Sequence, residues 1–183
     1  MVLNAFQGLR ARHPDLRLVL VPRHPEAWPE LLPEMEARGW RVAVRSRPRP
    51  DDSGADMLLV DTRGELPGFY AASSVVFVGG SLVPVGGHNV MEAAAAGAAI
   101  TVGPHHAVVR DEVEALEAAG ALGVVREAAS LEARLDAWLR DPAALATSRR
   151  RARETADGAR GAAERAVDWL VTRGVLPARR PDA

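Results

Sequence analysis

Short, mainly apolar runs of strand length recur along this chain, separated by stretches in which apolar residues return every three or four positions. The runs are Leu16–Val21, Trp40–Val44, Met57–Val60, Val75–Val78, Ala98–Val102 and Leu122–Val125. A short apolar run bounded by turn residues is typical of a parallel strand that is buried on both faces. The pattern therefore predicts a parallel sheet.

The stretches between these runs have helical periodicity. Predicted helices span Val2–Arg12, Glu26–Arg38, Thr62–Ala72, Val90–Ala96, Val109–Ala119 and Ser130–Arg140, and two more follow Asp141 and Gly161. Strands that alternate with helices in this way indicate an α/β fold, a Rossmann-like parallel sheet with helices on both faces. We expect one domain over residues 1–176 and a disordered tail over residues 177–183.

The composition is that of an ordinary folded chain and excludes several classes of protein. Hydrophobic residues make up 48% of the 183 residues, which argues against disorder. The 23 basic and 24 acidic residues leave a net charge of −1, so no nucleic-acid partner is expected. Without cysteine there is no disulfide framework and no thiolate metal site. No apolar run approaches the ~20 residues of a spanning helix, and no signal peptide is evident.

The stretch from Val75 to Pro104 has the pattern strand, glycine-rich loop, helix, strand. One glycine pair ends the first strand, a second precedes His88-Asn89, and an alanine-rich helix follows. Gly97 stands where a helix-closing glycine is expected. A loop of this kind directs backbone N–H groups and the start of a helix at one place, which suits a phosphate group.

Glu92 allows two interpretations. Asn89 is a good N-cap residue and Glu92 lies three residues further on, so the pair could form a variant of the capping box without any ligand. Alternatively, a carboxylate one turn inside a helix that faces a glycine loop can accept both hydroxyl groups of a ribose. Spacing alone does not decide between them, because single motifs give many false positives.

Several segments together resemble one family of glycosyltransferases. They are P-R-H-P-E at 22–26, D-T-R-G-E-L at 61–66, F-V-G-G-S-L at 77–82, G-G-H-N at 86–89, Glu92, G-P-H at 103–105 and Gly120-Ala121. In this order they are similar to the donor-binding half of the 3-deoxy-D-manno-octulosonic acid (Kdo) transferases, which move Kdo from CMP-Kdo onto lipid A precursors. The resemblance covers nearly the whole chain and implies the C-terminal domain of a GT-B glycosyltransferase.

The resemblance implies a donor-binding site. Its residues are Pro22, Arg23, Arg63, Gly64, Glu65, Gly86, Gly87, His88, Asn89, Val90, Met91 and Glu92. Arg23, directly after a predicted strand, and the loop Gly86–Asn89 would hold the phosphate of CMP. Glu92 would accept the ribose hydroxyls, and the backbone of Arg63–Glu65 would contact the cytosine.

Some of these positions have a simpler explanation or depart from the family. Without the resemblance, Arg23 would be interpreted as a solvated loop arginine. Thr62 and Glu65 have the T-x-x-E spacing of a capping box at the start of a helix. The family usually has an apolar residue, often methionine, at the position of Arg63, and commonly a proline at the position of Val90.

The resemblance implies an enzyme, a Kdo transferase, whose chemistry needs more than this chain. The donor substrate is CMP-Kdo, and no cofactor is expected, because positive charge and N–H donors can stabilise the departing CMP. The general base of the family is a glutamate in the N-terminal acceptor domain, so no catalytic residue is expected here. Because no strand precedes the first helix, we expect the first strand and loop of the domain to be missing, and the chain alone to be inactive.

The expected partners follow from the same resemblance. They are CMP-Kdo and a lipid A precursor as acceptor, with an N-terminal acceptor domain in trans and an anionic membrane surface as open alternatives. The arginine run Arg149, Arg150, Arg151 and Arg153 could face such a surface, although a run of this kind is usually a solvated helix face. The expected location is the cytoplasm, with peripheral attachment to the inner membrane left open.

Two other hypotheses come from different classes. The chain could be a nucleotide-binding module without chemistry, or part of a GT-B enzyme that uses a UDP-sugar. A comparison of CMP with UDP binding separates the UDP hypothesis from the others. His24, His88, His105 and His106 fall near predicted strand ends, but the short spacings of metal ligands are missing, so no metal site is predicted.

Overall fold

A computed structural model describes residues 1–24, 26 and 28–175, and it has an α/β fold with two parallel sheets. Its strands are β1 (Leu18–Leu20), β2 (Val42–Val44), β3 (Met57–Leu59), β4 (Val75–Val78), β5 (Ala99–Val102) and β6 (Leu122–Val124). Each strand lies within one of the predicted runs, and the predicted Rossmann-like α/β class is confirmed. Pro25 and the tail predicted at 177–183 lie outside the described residues.

Each sheet is made of three parallel strands. The first has the order β1-β3-β2, with Val19 and Ala43 on either side of Leu58. The second has the order β4-β5-β6, with Phe77 beside Thr101. Because the strands of a sheet run in the same direction, the loops that leave their carboxyl ends gather along one edge. Loops after β1 and β3 therefore share one edge, and loops after β4 and β5 share another.

The helices surround these sheets. Among the described residues they are α1 (Val2–Arg12), α2 (Trp28–Ala37), α3 (Leu66–Ala72), α4 (Met91–Ala95), α5 (Arg110–Ala118), α6 (Ala128–Arg140), α7 (Pro142–Ala159) and α8 (Ala162–Thr172). The start predicted for α3 at Thr62 is wrong. Gly64 has a φ of 83°, which a right-handed helix cannot contain, so α3 begins only after it.

Separate hydrophobic clusters lie beside the two sheets. The cluster of the second sheet combines strand residues with alanines of α4 and α7, and contains Val76, Val78, Val90, Ala93, Ala94, Ala98, Ile100, Val102, Val113, Leu116, Ala121, Leu122, Ala152 and Ala156. The cluster of the first sheet contains Phe6, Met35, Val42, Met57 and Leu59. Alanine at both sides of the α4–α7 contact lets these two helices approach closely.

Helix α1 packs into more than one cluster. Phe6 is 4% exposed and lies in the cluster of the first sheet, with its ring centroid 5.0 Å from that of Trp40. Its neighbour Ala5 is buried in a further cluster with Val125 and Leu131. Val125 directly follows β6, and Leu131 lies in α6. α1 therefore connects the first sheet to elements that belong with the second.

Ion pairs add to this packing on the side of the first sheet. Arg10 Nη2 lies 2.7 Å from Asp56 Oδ1, and the Arg41 amide donates to Asp56 Oδ2 at 3.0 Å. Burial raises the pKa of the Asp56 carboxyl, but the Arg41 amide and both guanidinium groups lower it, and the pKa lies below its ordinary value of 3.8. The resulting stabilisation is present above pH 3.8 and is lost as the pH falls through the pKa of the folded state.

Ion pairs also hold α1 against α6. Arg12 Nη2 lies 2.6 Å from Glu132 Oε1, and Arg12 Nε lies 3.1 Å from Asp136 Oδ1. His13 Nε2 is 2.8 Å from the same Asp136 oxygen. The Glu132 carboxyl group occupies the space that a β-carbon on Gly8 would need, so the two helices meet where α1 has no side chain.

We predict that Phe6→Ala lowers the free energy of unfolding by about 3–5 kcal/mol, because a large buried ring leaves a cavity between α1 and the first sheet. Gln7→Ala is the matched control, since Gln7 is exposed on the same helix. Urea unfolding of both variants measures the difference. Equal effects of the two substitutions would contradict the connecting role of α1.

Candidate functional site

Two loops lie side by side at the carboxyl edge of the second sheet. The glycine loop (residues 79–90) follows β4, and the histidine loop (residues 103–109) follows β5. Their strands are hydrogen-bonded neighbours in parallel register, with Val78 beside Val102 at the ends of the ladder. The loops predicted to form the phosphate site therefore start next to each other.

Ser81 joins the two loops. Its buried hydroxyl group donates to the carbonyl oxygen of Val78 at 2.9 Å and accepts from the Gly103 amide at 2.8 Å. The Ser81 carbonyl oxygen accepts from the His105 amide at 2.9 Å. A β-carbon on Gly103 would collide with the Ser81 carbonyl group, so residue 103 must be glycine for the loops to approach this closely. Sequence reasoning did not identify Ser81, although it lies in the quoted G-G-S segment.

The second glycine pair is required by backbone conformation as well as by space. Gly86 and Gly87 have φ values of 97° and 86°, which side-chain-bearing residues rarely adopt. A β-carbon on Gly87 would also lie 3.2 Å from the Cα atom of His106. The Val108 amide donates to the Gly86 carbonyl oxygen at 3.0 Å, which ties this part of the glycine loop to the histidine loop.

Not every amide of the glycine loop is available for an anion. The Gly87 amide donates to the Gly80 carbonyl oxygen at 2.8 Å, so it is already used. Within the described part of the chain, the amides of His88, Asn89 and Val90 donate to no other residue. Val90 is 0% exposed, so a phosphate at this loop would be bound by the amides of His88 and Asn89 rather than by the glycine pair itself.

Asn89 and Glu92 are in contact, but not as a capping box. Helix α4 begins at Met91, one residue later than predicted, and its N-cap is Val90. Asn89 Oδ1 accepts from the Met91 amide at 2.9 Å, and Asn89 Nδ2 donates to Glu92 Oε1 at 3.0 Å. The side chain of Asn89 thus caps the start of α4 as predicted, but the capping box is incomplete, because Glu92 bonds to the side chain of Asn89 and not to its backbone. The Asn89 amide stays available as a result.

The carboxylate of Glu92 is exposed, with Tyr70 of α3 close by. Burial raises the pKa of the Tyr70 hydroxyl group, and the negative charge of Glu92 raises it further. Among the described residues, Asn89 is the one hydrogen-bond partner of the Glu92 side chain. Its second carboxylate oxygen is therefore open to a ligand hydroxyl.

The histidines near the strand ends contact neighbouring backbone or side chains, or are exposed. The ring of His88 lies over Gly80, where an added β-carbon would be 2.8 Å from Nε2. His106 Nδ1 lies 2.9 Å from the Gly103 carbonyl oxygen. His24 is exposed beside Glu26, and His105 is exposed. Within residues 1–24, 26 and 28–175, no group of three histidine, aspartate or glutamate residues is arranged to hold a metal ion.

A second group of predicted residues lies at the edge of the first sheet. Glu65 Oε2 accepts from Arg45 Nη2 at 2.8 Å and from Arg45 Nε at 3.0 Å, and Glu65 Oε1 accepts from the Thr62 hydroxyl group. The bond from Thr62 and the charge of Arg45 lower the pKa of the Glu65 carboxyl. The capping box predicted for Thr62 and Glu65 is wrong, since their side chains bond to each other instead of to the backbone.

Gly64 gives this turn its shape. Its φ is 83°, and no atom lies within 4 Å of the place where a β-carbon would point. The turn is therefore held by backbone conformation and remains accessible on its outer side. Arg63 is exposed and its Nη2 atom lies 3.4 Å from Glu26 Oε2.

Pro22 and Arg23 follow β1 at the same edge. Pro22 is half-buried, whereas Arg23 is exposed and forms no hydrogen bond or ion pair with any described residue. The structure thus groups residues 86–92 on one sheet edge and places 22–23 and 63–65 on the other. No hydrogen bond or ion pair among the described residues links the two groups.

Two grooves on the surface of the described residues lie away from these site residues. One, of 310 Å³, lies between α1 and α6 beside Arg12 and Asp136. The other, of 460 Å³, lies on the first sheet beside Val19, Leu58 and Phe69. The candidate residues themselves lie on loops, or at the start of α4, along the carboxyl edges of the two sheets. No helix of the described residues is long and apolar enough to cross a membrane.

We predict that Ser81→Ala lowers the free energy of unfolding by about 1–3 kcal/mol, because the buried Gly103 amide loses its hydrogen-bond partner. Ser74→Ala, at an exposed position before β4, is the control and should be close to neutral. Thermal and urea unfolding measure both. A neutral Ser81→Ala would mean that the two loops do not depend on this hydroxyl group.

Comparisons with known proteins give this geometry a context. No protein-family model matches the chain. It is 42% identical over 123 residues to the 3-deoxy-D-manno-octulosonic acid transferase of Bordetella pertussis, covering 65% of this chain and 28% of that protein. It is 32% identical over 171 residues to the transferase of the same name from Haemophilus influenzae, covering 93% of this chain and 40% of that protein.

Two further matches extend the comparison. A probable mitochondrial 3-deoxy-D-manno-octulosonic acid transferase of Arabidopsis thaliana is 32% identical over 158 residues. The crystal structure of the C-terminal CMP-Kdo binding domain of WaaA from Acinetobacter baumannii superimposes with a TM-score of 0.75 and 28% identity. It covers 84% of this chain and 80% of that domain. The chain is similar to several Kdo transferases in sequence and to a CMP-Kdo binding domain in fold. It spans between 28% and 40% of the length of these curated Kdo transferases.

Proposed function

We propose that this chain binds CMP-Kdo and is the donor-binding part of a GT-B glycosyltransferase that moves Kdo onto a lipid A precursor during lipopolysaccharide biosynthesis. The observation that carries the proposal is the match to a CMP-Kdo binding domain over 84% of the chain. The glycine loop adds local support, because it holds the amides of His88 and Asn89, which donate to no described residue, beside an exposed carboxylate.

In this proposal the phosphate of CMP lies against the amides of His88 and Asn89, and Val90, which is 0% exposed, anchors the end of the loop in the core. Consecutive N–H donors suit an anion, and the glycines before them let the backbone approach it. Arg23 is the second phosphate ligand, since its guanidinium is exposed and has no partner in the described part of the chain. Reaching the glycine loop from the edge of the first sheet requires a bound nucleotide to extend between the two edges.

Glu92 accepts the ribose hydroxyl groups in the same proposal. The negative charge of a carboxylate strengthens the hydrogen bonds that it accepts. The side-chain amide of Asn89 holds one Glu92 oxygen in place. The base lies on the turn Arg63–Glu65, where Gly64 exposes the backbone and where the Glu65 side chain is already engaged by Arg45. Pro22 and Met91 shape the two ends of the site.

The chemistry that these residues supply is the binding and departure of CMP. As the bond to Kdo breaks, negative charge grows on the phosphate, and N–H donors and a guanidinium aimed at it lower the barrier. We assign no cofactor and no metal to this step. We assign no general base to this chain either, and place it, with the acceptor site, in another domain supplied in the same polypeptide or in trans.

The chemistry of the acceptor indicates where in the cell the reaction takes place. A lipid A precursor is an amphiphile, so a transferase that uses it must work at a membrane surface. We therefore place the reaction at the cytoplasmic face of the inner membrane, with this chain on the aqueous side.

The first expected result concerns the base. CMP should bind at least about tenfold more tightly than UMP, because uracil presents an oxygen where cytosine presents an amino group, and a carbonyl left unpaired costs roughly 1–3 kcal/mol. Calorimetric titration of the 183-residue chain with both nucleotides measures the ratio. Equal affinities, or a preference for UMP or UDP, would overturn the assignment.

A pair of glycine substitutions sharpens this test. Gly64→Ala strains a residue with a φ of 83° and should reduce the preference for CMP, since the turn must change shape. Gly68→Ala is the matched control, because Gly68 lies inside α3 and its β-carbon would meet nothing within 4 Å. It should leave the preference intact.

The second expected result concerns Glu92. Glu92→Gln should raise the dissociation constant for CMP about tenfold, since a neutral amide is a weaker acceptor for ribose hydroxyls. The melting temperature should barely change, because Glu92 is exposed and a glutamine oxygen can still accept from Asn89. Glu114→Gln, on an exposed face of α5, is the control. A large loss of stability with unchanged affinity would mean that Glu92 has only a structural role.

A further inference from the structure

Helix α4 carries Glu92 and adjoins Asn89, yet it is only five residues long. A helix of this length is not stable by itself, because forming its first turn costs more than its few hydrogen bonds return. The position of Glu92 must therefore depend on what holds α4 from outside.

The end of α4 has the hydrogen bonds of a Schellman motif. The Gly97 amide donates to the Ala94 carbonyl oxygen at 2.9 Å, and the Ala98 amide donates to the Ala93 carbonyl oxygen at 3.1 Å. Gly97 has a φ of 73°, so its predicted role in closing the helix is confirmed. The motif leaves the carbonyl groups of Ala95 and Gly97 to be satisfied by other groups.

Two arginines of α7 supply those groups. Arg149 Nε donates to the Gly97 carbonyl oxygen at 2.7 Å, and Arg153 Nη2 donates to the Ala95 carbonyl oxygen at 3.4 Å. Cationic donors favour the carbonyl end of a helix, and a charge-assisted bond is stronger than one between neutral groups.

Packing brings α7 to this position. Ala93 and Ala94 of α4 and Ala152 of α7 are all 0% exposed and belong to one cluster. Arg149 and Arg153 lie on either side of Ala152 along α7, so the buried alanine and the two bonded carbonyls form one contact. The small residues bring the helices together, and the arginines determine how far along α7 the end of α4 lies.

The same contacts change the interpretation of the arginine run. The remaining members face elsewhere: Arg150 Nη1 donates to Glu154 on the surface at 2.9 Å, and Arg151 lies against Gly120 at the end of α5. A membrane surface would therefore not meet four free guanidinium groups, because two of them are bonded to the backbone behind the candidate site.

We propose that Arg149 and Arg153 are positioning residues, which hold α4 from its C-terminal end and thereby place Asn89 and Glu92 for the nucleotide. Neither arginine touches the ligand. Where it concerns nucleotide affinity, this inference rests on the proposed function, but the effect of Arg149 on α4 itself can be measured without a ligand.

The experiment compares Arg149→Gln with Arg149→Lys and Arg150→Gln in the 183-residue chain. In Arg149→Gln, amide hydrogen exchange at residues 91–97 should become about tenfold faster while exchange in β5 is unchanged, because the opening is local. Arg149→Lys keeps a charged donor and should restore part of the protection. Arg150→Gln removes only a surface pair and should leave exchange unchanged.

A double-mutant cycle then tests whether Arg149 acts through Glu92. Arg149→Gln should raise the dissociation constant for CMP about fivefold in the wild-type background and barely at all in the Glu92→Gln background, since coupled residues are not additive. Additive effects would overturn the positioning role. So would unchanged CMP affinity at a temperature where Arg149→Gln is folded.

The outcomes separate this inference from the proposed function. If CMP binds the wild type and Glu92→Gln weakens binding but Arg149→Gln does not, the inference fails and the proposed function stands. If CMP does not bind at all, the proposed function fails, while faster exchange confined to residues 91–97 still supports the role of Arg149 in holding α4. Faster exchange spread equally over β5 would mean general destabilisation and would overturn it.

Discussion

The candidate site depends most on the close approach of Ser81 to Gly103. One buried hydroxyl group satisfies a carbonyl of one loop and an amide of the next, and no β-carbon fits at residue 103. This contact fixes where the glycine loop leaves β4, and Gly86 and Gly87 then turn the chain with positive φ values, which leaves the amides of His88 and Asn89 without a partner among the described residues. The arrangement thus depends on one buried side-chain hydroxyl group and on glycines whose backbone conformation or lack of a β-carbon the loops require.

Longer elements hold this edge in place from behind. Every residue of β5 is buried, and α4 lies against the 18-residue helix α7, whose arginines bond to the carbonyl groups of Ala95 and of Gly97 just beyond α4. On the other side, α1 joins the first sheet to α6 through Phe6 and through the ion pairs of Arg12. The site therefore combines short loop segments, in which glycines adopt positive φ values, with a support that is buried and charge-paired, as pre-organised binding sites require.

The sequence predicted the elements well because their signals are local. All the observed strands fall within predicted apolar runs, Gly97 closes α4, and Asp141 accepts from the amides of Ala143 and Ala144 as a cap should. Sequence-based prediction missed contacts between residues that are far apart in the chain. It also failed where several nearby residues could equally well have capped a helix. Nothing local pairs Arg149 with Gly97, 52 positions earlier, or Ser81 with Gly103. Likewise, α6 begins at Ala128 and not at Ser130 as predicted, because Glu127 and Ser130 form a capping box at its start. Capping boxes were predicted at other helices instead.

The two failed capping boxes help to assign roles to their glutamates. In each motif the polar residue three positions earlier, Thr62 or Asn89, bonds to the glutamate side chain. The two glutamates differ in whether a positive charge lies beside them. Arg45 already neutralises Glu65 through two hydrogen bonds, which leaves that carboxylate little capacity for a ligand. Among the described residues, the Glu92 carboxylate accepts a hydrogen bond only from the neutral side-chain amide of Asn89 and pairs with no cation. Its negative charge therefore remains uncompensated. Charge compensation thus favours Glu92 for the ribose and leaves the turn of Glu65 to act through its backbone.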